Sequence, residues 1–145
     1  MKHPLKAIYC NQYYELKPKG KAHSAKENGT ALSAVAVMLL VFATFLITIS
    51  FFPDVEKASR DLIQDVFGIK TGKSAGKILG LFLVFISWPF VRYTVGTEHS
   101  YQETISAFEA LGPEEQQKVS KYGLWSFVAT IGIFALAFLI FFIMN

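Results

Sequence analysis

The segment Gly68-Ile69-Lys70-Thr71-Gly72-Lys73-Ser74-Ala75-Gly76-Lys77-Ile78-Leu79-Gly80 spaces four glycines strictly by four and runs into an apolar stretch that continues to Val91. On a helix of about 3.6 residues per turn, such glycines drift about 40° per step, so they line one shallow groove with Lys70, Lys73 and Lys77 on the strip beside it. A groove free of side chains receives the backbone of another helix. The segment therefore reads as the entry to the middle one of three membrane helices, with Gly72, Gly76, Gly80 and, further on, Ser87 as its packing face. A phosphate-binding loop is the competing reading of Gly72-Lys73-Ser74, and it fails on spacing. That loop needs four residues between its first glycine and the Gly-Lys pair, whereas only Ile69 to Thr71 separate them here, and no strand precedes them.

Composition points the same way. Of 145 residues, 52% are hydrophobic and 17% charged, against about 25% charged in an average soluble domain. The apolar residues gather in runs near the length of about 20 residues that a helix needs to cross about 30 Å of hydrocarbon. These runs set the expected organisation: an all-α integral membrane protein with a basic N-terminal cytoplasmic arm over 1–30 and spans over 31–52, 74–95 and 124–145. The loops between the spans are 53–73 and 96–123. Within the apolar runs themselves, Ala31 to Phe52, Ile78 to Val95 and Leu124 to Met144, Arg92 is the one charge, close enough to a span end to snorkel outward. No cleaved signal peptide is expected, because the first apolar run follows thirty polar residues and no small-residue cleavage site comes after it.

The N-terminal arm carries six lysines against Glu15 and Glu27. It reads as a basic tail at anionic headgroups, with docking of the cluster Ile8, Tyr9, Tyr13 and Tyr14 as the alternative. In the first loop, Pro53-Asp54 starts an amphipathic interfacial helix and Gly68 offers it a stop. Val55, Ala58 and Leu62 fall on one face, with Lys57, Asp61 and Gln64 on the other. The second loop reads as a short helical hairpin. Ser100 to Glu103 has the form of a capping box, Gly112 ends the first arm, and Pro113-Glu114-Glu115 starts a second that runs to Gly123.

Lys and Arg total eight on the side of the arm and second loop, nine with Arg92, and five on the side of 53–77. That bias orients the N-terminus to the cytoplasm and the C-terminus outside, in a membrane of the bacterial inner (cytoplasmic) type. Lys70, Lys73, Lys77 and Arg92 are expected at lipid headgroups. Trp88, Tyr93, Tyr122 and Trp125 are expected as the aromatic belt of one interface.

Candidates for chemistry are few. His3, Cys10 and His23 match no metal-ligand spacing, so no metal and no cofactor is expected. Glu98 and His99 with Arg92 form the one surface where acid-base chemistry is conceivable, although adjacent residues on a helix do not face each other. A homo-oligomeric channel lined by Thr44, Thr48 and Ser87 is the other alternative. The leading expectation is a non-catalytic accessory or structural subunit of a larger membrane complex. Its partners would be the bilayer and other integral membrane proteins, or further copies of itself, with no nucleic acid among them.

Overall fold

The computed structural model describes residues 3–68 and 85–144, and every regular element among them is helical. In chain order these are α1 Pro4–Leu16, α2 Ala25–Phe51, α3 Pro53–Phe67, α4 over residues 85–94, α5 Glu98–Glu109 and α6 Pro113–Met144. Two short 3₁₀ turns, Lys17–Lys19 and Ala22–Ser24, join α1 to α2. Gly20 lies between them at φ 69°, a left-handed conformation that glycine adopts without strain.

Two helices, α2 and α6, are long and apolar enough to cross a membrane. They pack against each other through Ala43, Leu46, Ile49 and Ala137, flanked by Phe42, Phe45, Phe134 and Phe141. Alanines at the crossing let the backbones approach, and Phe42 and Phe134 close the contact with ring centroids 5.8 Å apart. Hydroxyls along both helices bond the carbonyl one turn back: Thr44 to Leu40, Thr48 to Thr44, Ser50 to Leu46, Ser126 to Tyr122 and Thr130 to Ser126. Those polar groups are satisfied within their own helices, as hydroxyls in apolar helices usually are.

Proline chemistry divides α2 from α3. A residue preceding proline is pushed out of the helical region, and Phe52 accordingly sits at φ −129°, ψ 86°, closing α2 and opening α3 with Pro53 in the first turn. Gly68, at φ 65°, donates its N–H to Gln64 O and ends α3 as the sequence suggests. The apolar strip of α3 is unburied, with Leu62 65% exposed.

Three expectations are corrected. The arm is not a loose tail: residues 4–16 are helical and Ala7, Ile8, Tyr9, Cys10 and Asn11 are all buried, because α1 is wedged among α2, α5 and α6. Five consecutive buried residues on a helix mean that neighbours cover it on every side. The cap of α5 is Thr97 and not Ser100. The Thr97 hydroxyl accepts the Ser100 N–H at 3.2 Å, placing the helix start three residues earlier. The second arm of the hairpin does not stop at Gly123, but continues into the last apolar run as one helix of 32 residues. The turn between α5 and α6 is held by the Gln116 side chain, which donates to Leu111 O at 3.0 Å.

Candidate functional site

The polar end of the bundle is organised by Tyr9. Its ring lies on Gly29 of α2, where an added Cβ would come within 2.6 Å of Cδ1. Its hydroxyl is 2.9 Å from Thr30 Oγ1 and would meet a Cβ at Gly96 at 2.9 Å. The ring of Tyr101 on α5 meets it edge-on, with centroids 5.8 Å apart. Burial pushes the Tyr9 hydroxyl up from its ordinary range, against a smaller opposing effect of the Thr30 hydrogen bond. Burial likewise pushes the Tyr101 hydroxyl up to about 12.

On the opposite side of α1 the backbone itself makes the contact. A Cβ at Gly123 would fall 2.1 Å from Ala7 O and 2.5 Å from Ala7 C, so α1 and α6 meet with no side chain between them. One turn earlier on α6, Ser120 Oγ accepts the Asn11 side-chain amide at 3.0 Å, a buried polar pair. Cys10 is buried at the same level, and desolvation pushes its thiol up to about 12. At the far end of α1, Tyr13 and Lys17 both donate to Glu109, Lys17 at 2.6 Å. The hydrogen bonds from Lys17 and then Tyr13 hold the Glu109 carboxyl below the usual carboxylate range.

Beside this knot, a recess of about 320 Å³ opens between α2 and α4, lined by Lys26, Glu27, Thr30, Trp88, Arg92 and Gly96. One turn deeper a second recess of about 240 Å³ is lined by Ala31, Ala34, Val35, Met38, Ser87 and Trp88, so that Trp88 borders both. Ser87 is buried on this seam. Arg92 is exposed at its mouth. Tyr93 and Trp125 are 77% and 65% exposed, and Tyr122 is exposed as well. Gly72, Gly76 and Gly80, together with Lys70, Lys73 and Lys77, lie outside the described residues, as does the start of the 74–95 run.

The surface considered for acid-base chemistry is otherwise engaged. Glu98 accepts from Lys26 and from Gln102, and these bonds hold its carboxyl below its ordinary value, the opposite of what a general base near neutral pH requires. His99 is exposed. Among the described residues no three His, Cys, Asp or Glu side chains converge as a metal site would need.

Sequence reasoning missed the residues that build this end. Gly29 and Gly96 stand alone in the sequence, and Gly123 resembled a helix stop. What unites them is placement in space: Gly29 on α2 and Gly96 in the turn before α5 both meet Tyr9, and Gly123 on α6 meets Ala7. Comparison of the chain with protein-family models, curated proteins and solved structures gives no match, so the geometry of the molecule itself is what bears on function.

Proposed function

We propose that this chain is an integral membrane protein with three spans, over 31–52, 74–95 and 124–145, acting as a non-catalytic accessory or structural subunit of a larger membrane complex. The observation that carries the reading is the route of the chain combined with its exposed apolar surface. The chain leaves the polar end at Thr30 and has returned to it at Gly96, where both residues meet Tyr9. With α2 as the outward leg, we assign the return leg to the apolar run that ends in α4, on the strength of its sequence. The third leg, α6, has only 11% of its most apolar stretch buried. Its exposed side chains, such as Leu136, Phe138, Phe142 and Ile143, call for lipid or another protein's helix.

The arm and second loop share one end, so the lysine bias counts them together. It favours an N-terminus in the cytoplasm and a C-terminus outside a membrane of the bacterial inner type. Gly96 and Gly123 both abut α1, and the closeness of Tyr93 to the first and of Tyr122 and Trp125 to the second supports an aromatic belt there, with Trp88 assigned to its inner edge about 12 Å deeper. Arg92, with Lys70, Lys73 and Lys77, is assigned to headgroups, and Gly72, Gly76 and Gly80 to the face that takes a partner helix.

The test is mild-detergent extraction of the tagged protein at native expression level, followed by native sizing and mass spectrometry. A defined set of other membrane proteins should accompany it, and Gly76→Leu with Gly80→Leu should release them while the protein stays in the membrane. A monomer with no stable company would refute the subunit reading. An oligomer of this chain alone would replace it with a pore reading.

A further inference from the structure

The two recesses between α2 and α4 share Trp88 and follow one another along α2, so we treat them as one amphiphilic cleft. Its outer part is polar and its inner part, walled by Ala31, Ala34, Val35 and Met38, is apolar, with Trp88 at the junction. The order follows from the antiparallel helices: α2 descends from Lys26 to Met38 while α4 rises from Trp88 to Arg92. A helix rises about 1.5 Å per residue, so the twelve positions from Lys26 to Met38 cover about 18 Å, a headgroup plus a large part of an acyl chain.

Charge at the mouth narrows the occupant. Lys26 is already paired with Glu98. That leaves Arg92 and Glu27, one cation and one carboxylate, neither of which has an ion pair among the described residues. A purely anionic headgroup would satisfy Arg92 and be repelled by Glu27. A headgroup carrying both a phosphate and an ammonium matches both. Guanidinium suits phosphate through its paired donors, and the ammonium finds the Glu27 carboxylate in the lining of the same recess.

We infer that the α2–α4 cleft binds one zwitterionic glycerophospholipid of the phosphatidylethanolamine type, its phosphate on Arg92, its ammonium on Glu27 and one acyl chain along the small residues of α2. The inference rests on the membrane reading above, and the two are separable by experiment because the chain has two tryptophans. In Trp125→Phe protein the remaining Trp88 reports the cleft. In Trp88→Phe protein Trp125 reports the exposed flank of α6. Each full-length variant, in a maltoside micelle, is titrated with phosphatidylethanolamine or phosphatidylglycerol carrying brominated acyl chains, which quench indole fluorescence on contact.

Trp88 should be half-quenched at an ethanolamine-lipid fraction about tenfold below that for the glycerol lipid, the worth of one charge-assisted contact. Arg92→Gln should raise the fraction needed for either lipid, and Glu27→Gln should abolish the preference alone. Trp125 should be quenched equally by both lipids. Equal quenching of Trp88 by the two lipids, or a preference for the glycerol lipid, overturns the inference. If Trp125 is also untouched by either lipid, the membrane reading fails with it.

Discussion

Replacing Gly123 by alanine tests whether α1 is truly a structural part of the bundle. The new Cβ would lie 2.1 Å from Ala7 O and 2.5 Å from Ala7 C. Both are backbone atoms inside a helix, so no side-chain rotation relieves the clash and α1 must move off α6 by about 1 Å or more. Overpacking of this kind costs about 1–3 kcal/mol, and the immobility of a backbone contact puts it at the upper end. Full undocking is the other route, and it would expose Ile8 and Tyr9 at about 1.5–3 kcal/mol each.

The expected loss of docking is thus about 3 kcal/mol, or about a hundredfold in the opening equilibrium. Cys10 reads it directly. It is the single thiol of the chain, buried in α1 and pushed up to about 12, so reaction with a maleimide near neutral pH requires α1 to open. Gly123→Ala should accelerate labelling about a hundredfold. Gly132→Ala on the same helix is the control: nothing lies within 4 Å of its added Cβ, and both variants share the gain of about 1 kcal/mol in helix propensity. Labelling of Gly123→Ala within about threefold of the wild-type rate would refute the close backbone contact and the docking argument built on it.

Four further outcomes concern the same end of the molecule. Tyr9→Phe removes the bond to Thr30 Oγ1 while keeping the ring on Gly29, so Cys10 labelling should rise about fivefold for a loss of about 1 kcal/mol. Gly29→Ala should do more, because the clashing ring is buried and cannot swing aside. Asn11→Ala and Ser120→Ala should each cost about 1–3 kcal/mol by stranding a buried partner, yet the double variant should cost less than their sum when thermal unfolding is compared in one detergent. The α1–α5 contact should also be pH-bounded. Glu109 is held low, so its contribution is present above the unfolded carboxylate range, about 4.3, and fades as pH falls through the depressed folded value. Tyr13 is held high by its bond to Glu109, and Lys17 by its bonds to Glu109 and Tyr13. Their contributions are therefore complete below the ordinary tyrosine value, about 10, and fade as pH rises through the raised ones. Exchange of the Tyr13 amide, corrected for its intrinsic pH dependence, should be slowest between those limits, and Glu109→Gln should abolish the acid-side rise.

Helical class and the two long apolar helices were legible because periodic apolar length is written locally. The boundary at Phe52 and the stop at Gly68 were legible for the same reason: proline and glycine act on their own backbone. Docking of α1 was legible only as the alternative that the cluster Ile8, Tyr9, Tyr13 and Tyr14 offers, since five successive buried residues present no stripe and three neighbouring elements remote in sequence cover them. Thr97 was overlooked as a cap because Ser100 and Glu103 offered a more familiar spacing, and the structure uses the earlier hydroxyl instead. Gly123 misled most. A glycine before an apolar run resembles a stop, but here the missing side chain admits the Ala7 carbonyl, a requirement that exists only once α1 is in place. The cleft between α2 and α4 was not legible: the sequence offers Arg92 to headgroups, Ser87 to helix packing and Trp88 to an aromatic belt, and leaves Lys26 and Glu27 in the arm, because the pairing of α2 with α4 is not written locally.

The unbroken course of α6 past Gly123 gives the molecule a lever. Pinned by α1 at that point, the helix has an upper arm to Pro113 of about 15 Å and a lower arm to Met144 of about 32 Å at 1.5 Å per residue. Tilting the lower arm by about 10°, together with the α2 face packed on it, carries its tip about 6 Å sideways and swings the upper end about 2–3 Å the other way. That upper end adjoins the turn from Glu109, where Lys17 and Tyr13 take hold, so, in the membrane placement proposed above, a displacement of the lower tip is delivered to the polar face at about half its size.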